Sequence, residues 1–206
     1  MELIDKNPYR ILGVFSNASL KEITANKTKL ARYASVGKSV SFDADMDGVL
    51  PPVTRTAESV EKAFADLSLP QDKLKYALFW FVKDTNFDEL ALGHLNAGNS
   101  DKAAELFGKR ECWSGLMNSG VLAMAHGDLS TAIGYITKVI HTSDYRTALV
   151  KAVSSDTYQI EEIHHQLHAE VQLYLHFRLP HSGMRRYLRS GIRLHPGRRH
   201  GIHPHR

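Results

Sequence analysis

Four groups of residues have types and spacings that could do chemistry. Asp43-Ala-Asp45-Met-Asp47-Gly48-Val-Leu50 has the front half of a twelve-residue calcium-binding loop: oxygens at positions 1, 3 and 5, glycine at 6 and an aliphatic residue at 8. The back half departs, because Thr54 stands where the bidentate glutamate should be and Pro51-Pro52 fall where the exiting helix should begin. A solvated acidic turn is therefore expected at Asp43, Asp45 and Asp47, with calcium the alternative. His164 and His168, four apart, would put two imidazoles on one helical face and hold a divalent metal, but no zinc-protease glutamate or third ligand accompanies them. A solvated histidine-rich face is the expectation there. Cys112 shows no partner pattern for a nucleophile and, beside Trp113, reads as a small packed hydrophobe. Gly37-Lys38-Ser39 has the end of a phosphate-binding loop without its beginning, since Arg32 occupies the required earlier glycine position and no strand precedes it.

With no Ser/His/Asp arrangement, paired-carboxylate motif or glycine-rich fingerprint, no catalytic site and no cofactor are expected. The elements that would position these residues read as helices throughout. Asn7-Pro8 is a helix start, because asparagine caps free N–H groups and proline tolerates the first helical position. That short helix carries Tyr9, Ile11 and Leu12 and stops at Gly13. Ser19-Leu-Lys-Glu22 is a capping-box pattern, and Leu20, Ile23, Leu30 and Ala34 behind it predict an amphipathic helix over 19–34. Glycines and Pro51-Pro52 make 35–55 a long loop. Val60, Ala63, Phe64 and Leu67 predict a helix from about Thr56, and Leu74, Ala77, Leu78 and Phe81 another from Pro70 to about Lys83. No segment alternates as a strand would, so the fold class is all-α.

Asn7-Pro-Tyr-Arg-Ile-Leu-Gly-Val14, Ala18-Ser-Leu-Lys-Glu-Ile23 and Lys29-Leu-Ala-Arg-Tyr33 together resemble the first two helices of J-domains, the DnaJ co-chaperone family. Ala63-Phe-Ala-Asp-Leu-Ser-Leu-Pro-Gln-Asp-Lys-Leu-Lys-Tyr76 is similar to that family's third helix and its ending. The resemblance implies a J-like helical module over 1–84. It also locates a departure. Where the family carries the His-Pro-Asp tripeptide that triggers ATP hydrolysis on a DnaK-type chaperone, this chain has Ala34-Ser35-Val36. The loop that follows is also longer than expected of the family. The fold is carried over and the ATPase-stimulating activity is not. Lys27, Lys29 and Arg32 on the second helix are the candidate interaction face, the alternative being an ordinary solvated face.

Residues 85–170 show a repeat. Gly98-Asn-Ser-Asp-Lys-Ala103 and Gly127-Asp-Leu-Ser-Thr-Ala132 align at an offset of 29, each a turn glycine with a small residue five positions on. This is similar to the tetratricopeptide repeat, although the usual period is about 34 residues and Trp113 is out of register. Two such pairs are too few to bury a core alone, so they are expected to pack on the first module through Leu78-Phe79-Trp80-Phe81.

Charge is divided unevenly. All 22 carboxylates lie within 1–170 beside 18 lysines and arginines, a net of −4, whereas 171–206 carry eight arginines, six histidines and no acid. The basic balance belongs to this tail, which is expected to be disordered. Its abrupt switch in composition is what a shifted reading frame would produce; the functional alternative is binding of nucleic-acid phosphates. No apolar run reaches the ~18–20 residues of a membrane span, and Met1–Lys6 lack the features of a secretory leader. A single cysteine permits no internal disulfide, so cytoplasm is the expected compartment. The leading functional expectation is a non-enzymatic module that binds another protein or peptide, away from membranes. The alternative is nucleic-acid binding through the tail, and an enzyme using Cys112 or the histidines ranks third.

Overall fold

The computed structural model describes residues 2–154. The expectations for His164, His168 and the tail 171–206 lie outside the described residues, as does the end of the repeat region. Within 2–154 the chain is all-helical: ten α-helices, one short 3-10 turn and no strand.

The first half comprises α1 (Glu2–Asp5), α2 (Pro8–Ile11), α3 (Leu20–Ala34), the 3-10 turn Asp43–Asp45, α4 (Ala57–Asp66) and α5 (Pro70–Ala77). Local chemistry sets the starts. Asn7 Oδ1 accepts from Tyr9 N–H at 3.1 Å ahead of Pro8, and Ser19 Oγ accepts from Glu22 N–H at 3.2 Å. At α4, Thr56 and Ser59 cap each other's backbone reciprocally. Each cap satisfies a donor that the first helical turn leaves without a partner. Leu30 of α3 and Val60 and Ala63 of α4 are buried where those two helices pack.

Helix α5 starts at Pro70 as expected but ends at Ala77 and not near Lys83. Leu78, Phe79, Trp80, Phe81 and Val82 are all buried. None of the five is helical. The segment instead runs beside 14–17. Trp80 Nε1 donates to Val14 O at 2.9 Å, Ser16 N–H to Phe81 O at 2.9 Å, and Asn17 Nδ2 to Lys83 O at 2.9 Å.

The second half comprises α6 (Asn86–Asn96), α7 (Ser100–Gly108), α8 (Trp113–Ala125), α9 (Leu129–His141) and α10 (Ser143–Val153). Helices α6 and α7 form one hairpin, and α8 and α9 another. Gly98 and Gly127 turn them with φ of 78° and 82°, left-handed backbone that suits glycine. Ala103 and Ala132, five residues beyond each glycine, are fully buried. Helix α8 is central, with ten of its thirteen residues buried. Helix α10 returns to pack on α5, α8 and α9. One continuous apolar cluster runs from Ile4 to Val153, with Leu78–Phe81 within it.

Asn118 of α8 holds the seam. Its Oδ1 accepts from Val82 N–H at 2.9 Å, and its Nδ2 donates to Val82 O at 2.9 Å and to Asp88 Oδ1 at 3.0 Å. Asp88 Oδ2 in turn caps α6 by accepting from Thr85 N–H at 2.8 Å.

Candidate functional site

A cleft of about 720 Å³ opens between the C-terminal end of α3, the N-terminal end of α4 and the intervening segment. Its floor includes Leu30, Val53 and Val60; Tyr33, Ala34, Ser35, Lys38, Ser39 and Ser41 line its sides. Ala34 and Ser35, the first two residues at the tripeptide position, thus stand at this cleft, whereas the third, exposed Val36, is not in its lining. Gly37-Lys38-Ser39 also lines it, but beyond a helix C-terminus. Oxyanions are attracted to the opposite pole, where N–H groups point outward, so this placement is wrong for a phosphate loop.

The inner wall is held by a buried charge network. Arg55 Nε donates to Ile11 O at 2.7 Å, Nη1 to Val40 O at 3.4 Å and to Asp45 Oδ2 at 3.1 Å, and Nη2 to Arg10 O at 2.9 Å and to Asp45 Oδ1. All five N–H groups of the guanidinium are therefore engaged. Asp45 Oδ2 also accepts from Phe42 N–H at 3.0 Å. Arg10, almost wholly buried, donates to Asp45 O at 3.1 Å and to Pro51 O. Burial pulls the Arg10 pKa below the ordinary arginine value, and Asp5, Asp45 and Asp47 oppose that shift.

This network corrects the expectation of a solvated acidic turn. Asp43 and Asp47 are exposed, but Asp45 is buried and bound to Arg55. Turning one carboxylate inward requires a cation and a backbone donor to replace its hydration, and Arg55 and Phe42 supply them. Gly48 also has a packing role: a Cβ there would lie 2.1 Å from Leu95 O and 2.6 Å from Asn96 O at the end of α6. Asn96 Nδ2 donates to Asp43 O at 2.8 Å, fastening the same segment to the second half. Met46 completes the turn in left-handed backbone, φ 57°, a conformation that costs a non-glycine residue roughly 1–2 kcal/mol. Its fully buried side chain offsets that strain.

Among the described residues no three His, Cys, Asp or Glu side chains converge as metal ligands. Millimolar calcium is expected to leave the melting temperature unchanged within about 1 °C. Occupancy at 100 times a dissociation constant would add about 2.7 kcal/mol, so differential scanning calorimetry with and without calcium decides the point.

The cations of α3 diverge instead of sharing one open face. Lys27 Nζ pairs with Glu61 Oε2 at 2.7 Å and sits 4.1 Å from the Phe64 ring centroid, against α4. Lys29 lies 4.9 Å from the Phe42 centroid, and Arg32 is exposed. Cys112 stands half-buried at the N-cap of α8 with Sγ 3.5 Å from Ser114 Oγ. It borders a pocket of about 310 Å³ whose lining includes Tyr145, Glu111 and Arg110 and no described imidazole. Lys138 Nζ lies 2.9 Å from Glu111 Oε1, and hydrogen bonding from it is the main cause of that glutamate's lowered pKa.

Arg55 is the central residue that sequence reasoning missed. An arginine soon after Pro51-Pro52 and ten residues beyond an aspartate has no distinguishing local signal. No helix among the described residues is long and apolar enough to cross a membrane. No family model, curated protein or solved structure matches the chain.

Proposed function

We propose that this chain is a non-enzymatic protein–protein interaction module. In this reading residues 1–84 are a J-domain-like unit without the ATPase-stimulating tripeptide, and 85–170 are tetratricopeptide-like helical pairs. The order of α2, α3, α4 and α5 and the turn glycines at 98 and 127 support those likenesses. The observation that carries the reading is the state of the charges in the cleft. Asp45 and Arg55, the buried ionic groups lining it, bind each other and the backbone, so neither is poised for acid–base work or for holding an anionic substrate. What remains open is a concave surface of apolar and hydroxyl side chains with Lys38, Asp47 and Glu61 among them, a mixed surface suited to polypeptide.

The test is site-specific photocrosslinking with p-benzoylphenylalanine placed at Ala34 in the cleft or at exposed Ala104 on α7 as control. A defined polypeptide is expected at position 34 and not at 104, and it should rebind the purified chain. Binding confined to random nucleic acid, salt-dependent and lost on deleting 171–206, would replace this reading with the tail-based one. In single-turnover assays the full chain is expected to leave ATP hydrolysis by a DnaK-type chaperone unchanged, because Ala34-Ser35-Val36 lacks an imidazole, a rigid turn and a carboxylate. A many-fold acceleration would restore an active co-chaperone.

A further inference from the structure

We draw no further inference here: the strongest candidate, the surface patch on α6 formed by exposed Phe87 and Leu90, carries nothing, because nothing in the structure shows what covers it.

Discussion

Arg55→Met will destabilise the chain by about 3–5 kcal/mol, the usual cost of stripping one partner from a buried ion pair. The Asp45 carboxylate, 2% exposed, would keep only the Phe42 N–H, while the carbonyls of Ile11 and Val40 would lose their donor and that of Arg10 would keep only Gly13 N–H. For a chain of this size the fall in melting temperature is on the order of 10 °C. Urea unfolding should show a lower midpoint at unchanged slope, marking a loss of stability and not of compactness. Adding Asp45→Leu should recover part of the loss, because an apolar replacement removes the stranded charge while the carbonyls of Ile11 and Val40 stay unpaired. A loss below 1 kcal/mol for Arg55→Met would mean that water reaches Asp45 and that the wall of the cleft is not held by this pair.

At the seam between the halves, Asn118→Leu is expected to cost about 3 kcal/mol or more. The substitution is close in size, yet it strands Val82 N–H, Val82 C=O and Asp88 Oδ1, and each buried polar group left unpaired costs about 1–3 kcal/mol. Amide exchange at Val82 should quicken by more than that of the helix interiors, since its acceptor is the group removed. Asn118→Asp makes a sharper version of the test. Its carboxylate could still accept from Val82, but it would lie against Asp88, which now receives a bond at 3.0 Å. Burial and that like charge raise the new carboxyl's folded-state pKa above its unfolded value. Its deficit should therefore be greatest at neutral pH and shrink as pH falls through the raised pKa, when protonation supplies a donor again. Equal deficits at pH 7 and pH 4.5 in thermal unfolding would count against that placement of Asn118.

Lys27 illustrates how the candidate interface changed once α3 and α4 were packed. On a helical wheel it is one of several cations on an exposed surface; in three dimensions it bridges to Glu61 over Phe64. A surface pair of this kind contributes at most about 1 kcal/mol. Its ammonium is engaged within the chain, whereas Arg32 of the same helix is exposed.

What the sequence determined by itself is local. Asn7, Ser19 and Thr56 start their helices because a side-chain oxygen meets an N–H within three residues, a contact that needs no tertiary structure. Gly98 and Gly127 turn their hairpins because left-handed backbone suits a residue without Cβ. The helical stripes were legible to the same depth: Ile23 and Leu30 are buried as their spacing predicts, whereas Leu20 of the same stripe is 62% exposed. Periodicity names a face and not how far the neighbouring helix extends along it. The rest belonged to tertiary structure. Asp45 belongs to Arg55, Gly48 rests against the carbonyls of Leu95 and Asn96, and Val82 abandons its helix for Asn118. In each case the deciding group lies ten or more residues away, brought close when one apolar core closes over both halves of the chain. Burial then sets the outcome: a polar group taken out of water must find whichever partner the packing places beside it.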